Sequence, residues 1–145
     1  MTAAPPDSAD QELAFPELGV YTLPGRVSDP RPALDDARDA EAAGLGSLWI
    51  SERPDVKEAA TLSGAAAVSS TNLQIITGAT NHNTRHPIVT ASYATTMHRL
   101  TGGRFVLGIG RGVQLRSDAF GIPRVTTAQM EDFAGLMRRL WRGET

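Results

Sequence analysis

Two periods of apolar spacing take turns along the chain. Short apolar runs bounded by glycine, proline or polar clusters begin near residues 17, 47, 73 and 104, and between them apolar residues return every three or four positions. The first pattern predicts strands and the second predicts helices. The predicted strands are Leu18–Leu23, ended by Pro24-Gly25, then Leu48–Ile50, Leu73–Thr77 and Arg104–Ile109. Asp29 is the expected N-cap of a first helix, with Pro30 at its first position and Leu34, Ala37 and Ala40 on its apolar face until Gly44 ends it. Asp55 with Glu58 resembles a capping box for a second helix carrying Ala59, Leu62, Ala66 and Ser69. A third helix opens at Pro87 and repeats through Ile88, Ala91, Ala94, Met97 and Leu100. Thr126 and Gln129 form another capping-box pattern before Met130, Phe133, Met137, Leu140 and Trp141.

A strand, a helix and the next strand within about 30 residues is the size of a βα unit, and such connections make the strands parallel. Four units fit in the chain. That leaves two α/β architectures: a complete four-stranded doubly wound sheet, or the first half of a (β/α)₈ barrel, which needs about 250 residues. Periodicity does not separate them. In both, chemistry gathers where parallel strands end. Thr77, Asn81, His82, Asn83 and Arg85 lie there, as do Gly108, Gly110 and Gly112.

Composition narrows the classes. The 145 residues are 41% apolar, which suits a globular domain with a real core. A formal charge of −2 gives no reason to expect nucleic acid or an anionic membrane as partner. The absence of cysteine excludes disulfides, thiolate metal sites and cysteine nucleophiles. Residues 1–14 begin MTAAPPDSADQE, without the basic start and apolar centre of a signal peptide, and are expected to be a disordered arm before a domain at 15–145. No apolar run is long enough to span a membrane, and a cytoplasmic location is expected. Lys57 is the sole lysine among 14 basic residues, and with the abundant alanine this reads as a GC-rich coding sequence.

The three histidines do not have metal-site spacing, and no metal is expected. His98 falls late in the third helix and reads as structural, His86 precedes Pro87 as a cap, and His82 is the one placed near a substrate. Arg104, Arg111, Arg116 and Arg124 make a basic trend around the fourth loop; it suits an anionic coenzyme tail, though scattered arginines are more often a solvated face. Gly108-Ile-Gly-Arg-Gly112 lacks the third glycine of a dinucleotide fingerprint, and no helix start is evident after it.

Four segments in order carry a resemblance: Leu48-Trp-Ile-Ser-Glu-Arg53 after Gly44-Leu-Gly46, Thr77-Gly-Ala-Thr-Asn81, Arg85-His-Pro87, and Gly103-Arg-Phe-Val-Leu-Gly-Ile-Gly-Arg-Gly112. Together they resemble the luciferase-like monooxygenase superfamily, and within it the oxidoreductases that use the deazaflavin coenzyme F420. The last segment is the strongest, and the resemblance spans about residues 17–142. It implies a (β/α)₈ TIM-barrel fold of which this chain holds the first four βα units.

The resemblance also implies site residues. Thr77, Gly78, Ala79 and Thr80 match the bulge after the third strand, where the family has a non-proline cis peptide behind the coenzyme ring; here that peptide is Gly78-Ala79. Glu52 stands where deazaflavin relatives carry an acid near the coenzyme. Arg53 follows it, where some relatives have a substrate-side histidine, and arginine stays protonated. Arg111 and Gly112 match the backbone that approaches the coenzyme after strand four. Val113 replaces an acid of the family's sugar-phosphate dehydrogenases and argues against that substrate. The candidate catalytic residues are therefore Glu52, Arg53 and His82, and the candidate coenzyme residues are Glu52, Thr77, Gly78, Ala79, Thr80, Arg111 and Gly112.

The implied chemistry is hydride transfer to or from a small organic substrate, with coenzyme F420 or, alternatively, FMN. Three readings stand: an F420-dependent oxidoreductase; an FMN-dependent monooxygenase served by a flavin reductase; and a non-catalytic half-barrel that binds a partner or self-associates. A half-barrel has two open sheet edges and a bare inner face, so a homo-oligomer is expected.

Overall fold

The computed structural model describes residues 13–25, 27–53 and 55–144, except the side chains of 114–116. The predicted N-terminal arm lies outside the described residues through position 12. The elements in chain order are β1 (Phe15–Tyr21), α1 (Pro32–Ala42), β2 (Leu45–Ile50), α2 (Ala59–Ser69), β3 (Gln74–Thr77), β4 (Thr80–Asn81), a 3₁₀ turn (His82–Thr84), α3 (Pro87–Leu100), β5 (Phe105–Val106), β6 (Ile109–Gly110), α4 (Gln114–Ala119) and α5 (Thr127–Trp141). β1, β2, β3 and β5 form one parallel sheet in that order.

Strand alternation sorts the sheet into two faces. Val20, Leu48, Ile75 and Phe105 are register partners across the four strands. They meet Ala33, Ala37 and Ala40 of α1, Leu62 and Ala66 of α2, and Ala94 and Met97 of α3 in one core. Alanine on these helix faces lets the backbones come close to the sheet. The next row, Tyr21, Trp49, Ile76 and Val106, points the other way. Trp49 and Val106 remain exposed there. Helices cover one face and leave the other open, so the architecture is half a (β/α)₈ barrel and not a doubly wound sheet. α5 packs on α3 through Ala91, Phe133 and Met137, and its Thr126–Gln129 capping box is formed as expected.

Local details depart from the sequence reading. α1 begins at Pro32, not Pro30, because the Asp29 carboxylate takes the Arg31 N–H and guanidinium and closes a turn of its own. α2 is capped by Glu58, whose oxygens accept from the N–H groups of Ala60 and Thr61. Reciprocal backbone hydrogen bonds between Arg53 and Lys57 close a turn that moves the start of α2 past Asp55. Ile88 and Leu100, predicted on the buried face of α3, are exposed at its two ends. The fourth strand is split into β5 and β6, and β6 pairs with β4 in a small second sheet. The Thr77 hydroxyl spans this break, donating to the Gly108 carbonyl and accepting from its N–H, both at 2.8 Å. A short helix, α4, does begin two residues after Gly112.

Candidate active site

A cavity of about 380 Å³ opens at the C-terminal ends of the strands. Its floor is Ala79, Asn81, Gly110 and Gly112, and one wall is Tyr21, Ser51, Glu52 and Arg53. α4 and the residues flanking it supply the opposite wall through Val113, Ser117, Phe120 and Ile122. The floor is kept low by small residues. A Cβ on Gly110 would stand 3.1 Å from that of Ala79, and Gly112 takes a φ of +75°, which favours glycine. The Gly78-Ala79 peptide is cis, as the resemblance implies. Behind it, a Cβ on Gly78 would lie 2.7 Å from Cε3 of Trp49.

Glu52 is anchored on every side. Its Oε1 is 2.7 Å from Arg85 Nη2, and the Glu52 and Arg85 side chains are 4% and 15% exposed. Its Oε2 takes the Thr80 hydroxyl, Arg85 Nη1 at 3.0 Å and the Asn81 N–H at 3.3 Å. The Glu52 N–H donates to the Ala79 carbonyl at 3.0 Å. Arg85 also pairs with Glu58, which ties the cap of α2 to the same network. The acid at the end of β2 is thus held against the bulge after β3, and its oxygens are directed into the protein.

Arg53 lines the cavity and reaches the Gly25 carbonyl at 2.9 Å. His82 does not line it. Its ring is buried 4.7 Å from that of Phe133, Nδ1 has no hydrogen-bond partner, and burial holds it below the ordinary histidine pKa while a backbone contact with Gly110 pulls upward. His86 caps α3 by accepting from the Ile88 N–H at 3.3 Å. Thr77 and Thr80 are fully buried in the clips already described; Gly112 lies in the floor, and Arg111 is exposed and does not line the cavity. The basic trend does not converge on the cavity. Arg104 donates to the carbonyls of Ser70, Leu73 and Thr101 at the opposite end of the sheet, and Arg124 pairs with Asp118 at 2.9 Å. The side chain of Arg116 lies outside the described residues.

Sequence reasoning passed over three residues on the cavity's β1 side. Lys57 is 5% exposed, and its Nζ donates to the carbonyls of Thr22 at 3.0 Å and Leu23 at 2.9 Å. The same Nζ lies 3.5 Å from the Tyr21 hydroxyl and 4.7 Å from the centre of its ring. The Tyr21 hydroxyl in turn meets Ser51 Oγ. The available signal was Lys57 itself, a lone lysine in a chain that otherwise uses arginine.

The family profile described as luciferase-like monooxygenase matches residues 13–145. The chain belongs to the luciferase-like monooxygenase family. A 5,10-methylenetetrahydromethanopterin reductase of Methanopyrus kandleri is 33% identical over 111 residues, covering 77% of this chain and 31% of the reductase. The solved coenzyme F420 dependent tetrahydromethanopterin reductase of that organism matches with a TM-score of 0.65 and 31% identity, over 78% of this chain and 31% of its own. The oxygenating constituent of 3,6-diketocamphane monooxygenase of Pseudomonas putida, solved with FMN, matches with a TM-score of 0.72 over 85% of this chain and 38% of its own; at 23% identity this is a likeness of fold. The chain spans about three-tenths of the length of the curated relatives it matches. The chain is thus related in sequence to an F420-dependent reductase and resembles, in fold, a monooxygenase solved with FMN.

Proposed function

We propose that this chain supplies the coenzyme-ring half of an F420-dependent oxidoreductase that moves hydride to or from a small organic substrate. The observation that carries the reading is the cavity floor: Ala79, Gly110 and Gly112 leave a low, side-chain-poor surface on which a flat ring can lie. At about 380 Å³ the cavity falls in the lower part of the roughly 300–1,000 Å³ range of small-molecule sites. The relation to an F420-dependent reductase at 31% identity over 78% of the chain favours deazaflavin over FMN.

When bound, the coenzyme supplies hydride chemistry that side chains lack. The chain's residues position and shield. Glu52 and Arg85 lock the end of β2 to the bulge and so fix the height of Ala79. Val113, Phe120 and Ile122 offer apolar surface from the other side. Phosphate sites of barrels commonly lie after strands seven and eight, so the ring, not the coenzyme tail, is this segment's share.

Equilibrium titration of the longest natural form of the protein with each coenzyme tests the choice. F420 binding tighter than FMN is expected. Tight FMN binding without affinity for F420 would transfer the site to the monooxygenase reading, and affinity for neither would favour a non-catalytic half-barrel.

A further inference from the structure

Lys57 is a buried cation with no carboxylate partner among the described residues. A buried ammonium is costly to desolvate unless its donors are met. Two of its three N–H groups point to the Thr22 and Leu23 carbonyls. The third has the Tyr21 hydroxyl, and that hydroxyl is also held by Ser51 on the cavity wall. The residues belong to three separate segments: the end of β1, the end of β2 and the turn before α2. Nothing in the anchoring of Glu52 uses them. Tyr21 is 37% exposed, so its oxygen reaches the cavity while its positive partner stays covered.

We propose that Tyr21, set between Lys57 and Ser51, is the proton-exchanging catalytic residue of this site and that the substrate is a carbonyl compound or its alcohol. This rests on the hydride-transfer reading. In the reducing direction, hydride from a reduced deazaflavin joins the carbonyl carbon as the C=O π pair moves onto oxygen. That oxygen takes the Tyr21 proton, and the tyrosinate left behind faces the Lys57 ammonium and the Ser51 hydroxyl. The substrate gains two electrons and two hydrogens, one as hydride and one from Tyr21; the coenzyme would give up its remaining ring N–H proton to solvent, and solvent returns a proton to Tyr21. The oxidising direction reverses each transfer.

The electrostatics agree with the geometry. Burial alone pushes the Tyr21 hydroxyl up, but the Ser51 hydrogen bond and the Lys57 charge outweigh it and hold the group below the ordinary tyrosine value. Burial lowers Lys57, partly offset by Tyr21. The groups facing Tyr21 are Lys57, Ser51 and Arg53, and Arg53 also favours the tyrosinate. Glu52, next along the strand end, is directed to Arg85.

The chain holds only two tyrosines, which makes the test direct. Tyr93 is bonded to Ser63, away from the cavity, and burial pushes it up to about 12. In Tyr93→Phe, NMR of labelled tyrosine should show the remaining hydroxyl ionising below the ordinary value of about 10, and adding Lys57→Met should move it upward. Ionisation at or above 10 before Lys57 is changed overturns the proposal. With a ketone and reduced F420, Tyr21→Phe should lower kcat by about 100-fold or more while leaving coenzyme affinity unchanged. Full turnover by Tyr21→Phe overturns the role of Tyr21 but leaves hydride transfer standing. No turnover by the unsubstituted protein with any carbonyl or alcohol overturns the carbonyl assignment, and no oxidation of reduced F420 by any organic acceptor overturns the hydride-transfer reading with it.

Discussion

Arg85 Nη2 stands 2.7 Å from Glu52 Oε1, joining the end of β2 to the segment after the bulge across 33 residues of chain. Both side chains are largely covered, so neither charge can be satisfied by water if the other is removed.

Arg85→Met should therefore destabilise the protein by about 3 kcal/mol, since it strands a buried carboxylate. Chemical denaturation measures this. The double variant Glu52→Gln, Arg85→Met should lose less than the sum of the two single variants, because it removes both charges. Additive losses would show that the two groups do not act as a pair.

Glycine substitutions should split by position. A Cβ on Gly108 would fall 2.0 Å from the Thr77 carbonyl oxygen, a backbone atom that cannot yield without opening the clip between β3 and β5. Gly108→Ala is expected to cost about 3 kcal/mol. Gly64 lies within α2, with nothing within 4 Å of the added carbon. Gly64→Ala should stabilise by about 0.5–1 kcal/mol. Thermal melts of the two variants should move in opposite directions.

Much of the frame was legible in the sequence because it rests on local or repeated signals. The period of about 30 residues revealed the parallel strands, the His86-Pro87 pair the start of α3, and Thr126 with Gln129 the start of α5. The motif after β3 located the cis peptide and the cavity floor. Cap placement at Asp29 and Asp55 was misread because nearby turns compete for the same polar groups. The site's polar contacts were the least legible. Glu52 with Arg85 and Tyr21 with Lys57 are 33 and 36 residues apart, and no periodicity announces a contact that only folding creates.

The buried His82 should give stability a pH dependence. Its pKa is depressed in the folded state, so the unfolded chain binds a proton more readily. The contribution is fully present above the unfolded value of about 6.5 and is lost as pH falls through the folded value. Replacing His82 with Phe should flatten this part of the profile. Denaturation midpoints of the two proteins between neutral and mildly acid pH check it; parallel profiles would assign the dependence to other groups.

The open face of the sheet should drive association of the 145-residue chain. Tyr21, Trp49 and Val106 stand exposed in one row there with Ile76 buried among them, and a groove of about 550 Å³ lies between α3, β5 and Trp141. Exposed apolar rows and free strand edges favour self-association. Analytical ultracentrifugation should find dimers or larger species, and Val106→Lys should shift them toward monomer. A monomer at all concentrations would contradict the expectation.

The most direct test of the central claim is anaerobic turnover with reduced F420. The longest natural form of the protein is mixed with the reduced coenzyme and a panel of carbonyl compounds under argon, and oxidised coenzyme is followed by absorbance. The account predicts substrate-dependent oxidation of the coenzyme without oxygen, with one alcohol formed per coenzyme oxidised. Coenzyme oxidation that requires oxygen, or product formed only with FMN and a flavin reductase, would contradict it.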